Sequence, residues 1–194
     1  MITDIHQLDL SKQYTYADYL TWWFDERVEL IKGYILKMSP APYRQHQKIS
    51  MILSQKIYLF LNNKTCQVYA APFDVRFPKK DITQANKIYD VVQPDICVIC
   101  DETKLDDLGC LGAPDLIIEI LSDGNRNRDI QKKFALYEEN LVKEYWIVFP
   151  KEQMVQVFHL LNDKYGLPEV YEQDDEIKSN ILQGLSITNN TIFA

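Results

Sequence analysis

At 194 residues, with 46% hydrophobic and 25% charged side chains, the chain is long enough to bury a sizeable core, which excludes a disordered segment or a fibre. No run approaches the roughly 18 apolar residues of a membrane-crossing helix, and residues 1–11 carry acids and polar groups rather than a basic, apolar targeting pattern, so one cytoplasmic domain over residues 1–194 is expected. A net charge of −7 argues against a nucleic-acid binder that works through overall charge and leaves that role to local patches.

In chain order, residues 16–24 predict a short helix. Residues 27–31 and 34–38 read as the strands of a hairpin, with Gly33 supplying the turn. Ser39-Pro40-Ala41-Pro42 breaks the pattern. Over residues 45–61 the apolar side chains Ile49, Ile52, Leu53, Ile57 and Phe60 recur at spacings of three and four, which predicts an amphipathic helix. Strands are expected at 67–70 and 73–77, then a polar, mobile loop at 78–88. Residues 91–100 read as one strand, with Pro94 marking an edge or a bulge within it. A polar connection at 101–114 leads to residues 115–121, a nearly continuous apolar run expected of a central strand covered on both faces. A helix at 128–140 and a strand at 145–149 complete a strand–helix–strand passage, which implies a parallel pair joined by a right-handed crossover. Residues 154–160 alternate, and a late apolar segment lies at 181–187. The class is α/β or α+β with one mixed sheet.

Glu119 is the most informative residue. It stands within Leu116-Ile117-Ile118-Glu119-Ile120-Leu121, and a carboxylate buried without a partner costs several kcal/mol or takes up a proton. A cation, a basic side chain or solvent must compensate it; a structural ion pair would do so as well. Asp95, 24 residues upstream, follows Gln93-Pro94 and also enters an apolar strand. On adjacent strands the two acids would reach one hard cation, and Mg²⁺ takes one or two carboxylates while keeping several waters. Asp115 shares a strand face with Glu119 but would lie roughly 13 Å away on a regular strand, which makes it a strand-entry residue.

Lys133 falls on the flank of the helical stripe Ile130, Phe134, Tyr137 and Leu141, beside Tyr137, while Lys132 falls on the solvent side. An amine aimed at the sheet could orient an attacking water or offset charge on a phosphate; otherwise its stem snorkels to solvent. Glu29 is another acid in an apolar strand, able to join such a site only through the fold. His46 opens the long helix as a cap-region or surface histidine with a catalytic role as the minority reading, and His6 and His159 lack metal-binding spacing, so zinc is not expected. Cys97 and Cys100, three apart on a strand, point to opposite faces and read as core cysteines. Arg126, Arg128, Lys132 and Lys133 form a local basic cluster that reads equally as a solvated helix face.

Seven segments, in order, carry a family resemblance. They are Val28-Glu29-Leu30-Ile31-Lys32-Gly33, Met38-Ser39-Pro40-Ala41-Pro42 with His46, Ala71-Pro72-Phe73-Asp74-Val75-Arg76, Val92-Gln93-Pro94-Asp95, Gly112-Ala113-Pro114-Asp115 continuing to Ser122, Arg128-Asp129 through Lys133 to Tyr137, and Glu144-Tyr145-Trp146-Ile147-Val148. From about residue 14 onward the chain resembles the Uma-two family of restriction endonucleases, within the PD-(D/E)xK nuclease superfamily.

The resemblance implies a restriction-endonuclease-like fold, a central mixed sheet flanked by helices, and phosphodiester hydrolysis with Mg²⁺ or Mn²⁺. The motif acids map to Asp95 and Glu119, with Glu29 as the upstream acid; on this expectation a backbone carbonyl such as that of Ile120 assists the metal, and Glu29 binds it directly or through water. The motif lysine position, two residues after the second acid, is Leu121; the displaced candidate is Lys133. The implied partner is nucleic acid, DNA first, acted on by a homodimer. Two rivals accompany this expectation: a nuclease fold that binds nucleic acid or a protein without cutting, favoured by Leu121 and the acidic balance, and a structural protein in which the same residues form a buried ion-pair network.

Overall fold

The computed structural model describes all residues other than 39–42, 81 and 123–125, and of residues 126–128 the backbone alone. The pattern break expected at 39–42 therefore lies outside the described residues. A 3-10 turn at Ile5–Gln7 precedes helix α1 (Tyr16–Tyr19), which starts with a capping box between Thr15 and Asp18. The helix stops short of the expected residue 24 because the chain start recruits the backbone there: Ile2 N–H donates to Thr21, and Trp23 N–H to Ile2.

Strands β1 (Val28–Ile31) and β2 (Tyr34–Lys37) form the expected hairpin. Gly33 turns it at a φ of +79°, where a Cβ would meet Gln13 and Tyr89 at 3.0 Å. Helix α2 (Arg44–Leu61) buries Ile49, Leu53 and Ile57 of the predicted stripe together with Leu61, while Ile52 and Phe60 are half-buried. Strands β3 (Gln67–Ala70) and β4 (Val75–Phe77) follow. The segment expected as a mobile loop carries a 3-10 turn at Ala85–Lys87 and seats Ile88 in a core cluster.

Residues 91–100 are not one strand. They divide into β5 (Asp90–Val92) and β6 (Ile96–Ile99), which belong to different sheets. Pro94 has no N–H to donate, and the N–H of Gln93 is taken by the carboxylate of Glu29, so neither residue can extend a ladder. The connection expected at 101–114 contains a small hairpin, β7 (Leu105–Asp106) and β8 (Gly109–Leu111). Then come β9 (Leu116–Ile120), helix α3 (Arg126–Glu139) and β10 (Glu144–Phe149), with β9 and β10 paired in parallel as expected. The remainder is β11 (Met154–Leu161), β12 (Lys164–Tyr165), β13 (Glu169–Tyr171), β14 (Glu176–Lys178), β15 (Ser186–Thr188) and helix α4 (Asn190–Phe193).

The class is mixed α+β, but the single expected sheet is divided. One sheet runs β2-β1-β5-β4-β8-β7 and the other β12-β11-β10-β9-β6-β3, with β13 also on β11 and β14–β15 as a separate hairpin. The second sheet has a core on each face. Ile96, Val98, Leu116, Ile118 and Ile120 pack with the α2 residues Ile49, Leu53 and Ile57. Cys97, Ile99, Ile117, Tyr145 and Ile147 pack with Leu136 and Tyr137 of α3. Cover on both faces accounts for the continuous apolar run of β9, and the alternation puts Glu119 on the face of Ile117, towards α3.

Cys97 and Cys110 are free and buried, but Cys100 corrects its expectation. It is disulfide-bonded to Cys66, with the Cα atoms 3.9 Å apart. Gln67 pairs with Ile99 across β3 and β6, so the two cysteines, one position beyond that pair, face each other. Among the described residues, no helix is long and apolar enough to cross a membrane.

Candidate active site

Strands β6 and β9 are antiparallel with Ile96 opposite Ile118; one step on, Asp95 stands opposite Glu119. The break at Gln93-Pro94 frees Asp95 from the first sheet and lets its side chain turn to the end of β9. There Oδ2 of Asp95 accepts the N–H of Ile120 at 2.7 Å and lies 3.1 Å from Nε2 of His46. His46, on the first turn of α2, is no surface histidine: its side chain is 12% exposed. Burial works against its protonation, but the hydrogen bond and charge of Asp95, aided by Glu119 and the Ile120 backbone, raise its pKa above the usual value.

Helix α3 supplies the amine. Nζ of Lys133 lies 2.9 Å from Oε1 of Glu119 and 2.9 Å from Oε1 of Glu29. One turn later, the Tyr137 hydroxyl donates to the same Glu119 oxygen at 2.6 Å. The helix thus brings an amine to Glu119 on a strand whose residue 121 is a leucine. Glu29 comes from the other sheet: β1 pairs with β5 at Leu30 and Val91, and Oε1 of Glu29 accepts the Gln93 N–H at 2.8 Å. Four segments distant in sequence thus bring Glu29, Asp95, Glu119 and Lys133 together.

Burial and neighbouring charge shift the groups of the site. Burial pushes the Glu119 carboxyl up to about 7; Lys133 pulls it down, Asp95 and Glu29 add to the rise, and the Tyr137 hydrogen bond opposes it. Burial disfavours the Lys133 ammonium, yet Glu119 and Glu29 together hold its pKa above the usual range. Lys133 serves Glu29 and Glu119 while His46 serves Asp95, so three carboxyls share one ammonium and one imidazole. By contrast Glu144, with no exposure at all, is served by the Trp146 indole and the N–H groups of Asn180 and Ile181; it is a structural carboxylate.

Among the described residues no three His, Cys, Asp or Glu side chains converge as a metal-holding group. What the site offers is two carboxylates at one strand end, Asp95 held by His46 and the Ile120 N–H, and Glu119 held by Lys133 and Tyr137. Two carboxylates with water filling the other positions is a donor set that suits Mg²⁺ or Mn²⁺ and not a structural zinc. The chemistry of the donors fits such an ion.

Asp115 is the strand-entry residue its spacing implies: it pairs with Lys143 at 2.7 Å and accepts the Cys100 N–H at 2.8 Å. The basic cluster does not hold as one patch, because Lys132 is exposed and Lys133 is turned inward; the Arg126 and Arg128 side chains lie outside the described residues. Two participants carry little or no signal in the sequence. Tyr137 looked like one more residue of the apolar stripe, although its place one turn after Lys133 was the available signal. Gln93 gave no signal, since its part is played by a backbone N–H.

Residues 16–190 match a family model, Uma2, described as putative restriction endonuclease. The chain is 24% identical over 179 residues to the uncharacterized protein slr1290 of Synechocystis, a match covering 91% of this chain and 89% of that one. It superposes with a TM-score of 0.72 on the crystal structure of a putative nuclease belonging to DUF820 from Anabaena variabilis, at 21% identity and over 93% of this chain and 97% of that one. At that identity the likeness establishes the fold, which is restriction-endonuclease-like.

Proposed function

We infer that this chain, which belongs to the Uma2 family, is a metal-dependent endonuclease that hydrolyses phosphodiester bonds in DNA. The observation that carries the reading is the position of Lys133, bonded to both Glu29 and Glu119 beside Asp95. Asp95 and Glu119 would hold Mg²⁺ or Mn²⁺, with the Ile120 backbone at the same strand end. The bound ion would supply Lewis acidity at the phosphate and a water of lowered pKa. Lys133 orients the attacking water and offsets the charge that develops on the phosphoryl oxygens. Glu29 keeps the lysine charged and aimed. His46 fixes Asp95 by holding Oδ2, and Tyr137 does the same for Oε1 of Glu119. The water oxygen bonds to phosphorus as the P–O bond to the leaving sugar breaks, and the water's proton balances the departing alkoxide. We propose the whole chain as one nuclease domain, acting as a homodimer where both strands of a duplex are cut.

The test is cleavage of supercoiled plasmid and of single-stranded DNA and RNA with Mg²⁺, with Mn²⁺ and with chelator. The reading expects metal-dependent cutting of DNA by the wild type and none by Glu119→Gln. Cutting that survives chelation and the substitution would reject it.

A further inference from the structure

A second concave feature lies next to the acidic cluster and is not used by the chemistry above. It is a cavity of about 420 Å³ lined by Tyr19, Trp22, Phe24 and Pro72, with Arg27 and Gln93 among its polar groups. Its size falls in the range of small-molecule sites. Three aromatic side chains line it, with Trp22 in ring contact with both Tyr19 and Phe24, and Asp25 and Glu26 stand at the same lining. The indole N–H of Trp22 is out of solvent and has no hydrogen-bond partner. An atom closed to water is closed to a cavity ligand as well, so this N–H is a reporter of the ring's surroundings and not a recognition group.

The cavity is wired to the candidate active site through one residue. Gln93 lines it, and Arg27 donates to its Oε1 from Nη2 at 2.8 Å and Nε at 3.2 Å. The Gln93 side-chain amide donates to Asp74 at 2.9 Å and to the Tyr19 hydroxyl at 3.3 Å, while its backbone N–H holds Glu29. Asp95 follows two residues later, roughly 7 Å of extended chain away.

We propose that this cavity is a nucleobase subsite, which takes one unstacked base of the nucleic acid whose backbone is presented to Asp95 and Glu119. The proposal rests on the nuclease reading for its substrate. Aromatic faces suit a base because every base has a π-face, and such stacking is tolerant of sequence. Acids at the lining can accept from the exocyclic amines and ring N–H groups of bases. Arg27 brings positive charge to a chain with little to spare. An aliphatic ligand would find no use for the acids at the lining.

The test reads the indole N–H resonances of the ¹⁵N-labelled full chain, which contains three tryptophans. Trp146, whose indole is bonded to Glu144 at 2.8 Å, is the internal control. Deoxyguanosine and deoxyadenosine monophosphates are titrated beside deoxyribose 5-phosphate, which lacks a base. The expected result is saturable movement of the Trp22 signal with the nucleotides, none with the sugar phosphate, and binding weakened about tenfold in Phe24→Ala and Arg27→Ala. A single strand and a duplex of the same sequence then distinguish an unpaired base from one flipped out of a helix. Unmoved Trp22, or equal movement with the sugar phosphate, would overturn the subsite and leave metal-dependent cutting untouched. Saturable nucleotide binding with no cleavage would uphold the cavity while the nuclease reading failed. Arg27 is exposed, so its variant keeps the test open should Phe24→Ala not fold.

Discussion

The ammonium of Lys133 and the carboxylate of Glu119 are 2.9 Å apart although they lie on different elements and 14 residues apart in the chain. The helix thereby delivers to the strand end an amine that residue 121, a leucine, does not provide. The same amine also holds Glu29 of the other sheet, so it joins two sheets as well as two charges.

Removing that amine has a predictable cost. Lys133→Met leaves Glu119 and Glu29 buried without their shared cation, a loss of about 3–5 kcal/mol by analogy with broken buried pairs. The penalty shrinks at pH 5, because burial has raised Glu119 to about 7 and it is then protonated. Urea unfolding of both proteins at pH 5 and pH 8 checks this; an equal difference at the two values would count against the charge argument.

Metal binding should depend on pH in a defined direction. Glu119 has its folded pKa raised from 4.5 to about 7, so its contribution to stability is fully present below the unfolded value and is lost as pH rises through the folded one. An ion competes with that proton. Stabilisation by Mn²⁺ or Mg²⁺ is therefore expected to be small at pH 5.5 and to grow through pH 7 to 8, read as a shift in Tm. A shift that falls with rising pH would contradict the assignment of Glu119 as a ligand.

His46 acts on Asp95 and not on substrate. His46→Ala is expected to weaken Mn²⁺ binding about tenfold, the lower range for a residue that orients a metal ligand, with His46→Gln recovering part of it through its side-chain donor. Calorimetric titration of the three proteins tests this; unchanged affinity in the alanine variant would make His46 a packing residue.

Much of this architecture was legible from periodicity. The hairpin about Gly33, helix α2 and the β9–α3–β10 passage follow directly from spacing, and Glu119 was exposed as an anomaly by its apolar neighbours. The split at Gln93-Pro94 was not legible: proline signalled an interruption, but only the carboxylate of Glu29, 64 residues away, decides that the two halves enter different sheets. Long-range pairing also hid the Cys66–Cys100 bond, which depends on the register of β3 and β6. Glu144 was silent because it begins its strand, where an acid draws no notice, although it is more deeply buried than Glu119. A helix start likewise offers no sign that Asp95 lies across from His46.

Binding of Mn²⁺ by the wild type and by Asp95→Asn, measured calorimetrically at pH 8, tests the central claim most directly. One saturable ion per chain for the wild type, with affinity reduced at least tenfold in the variant, is the expected result. No saturable ion, or the same affinity in both proteins, would contradict it.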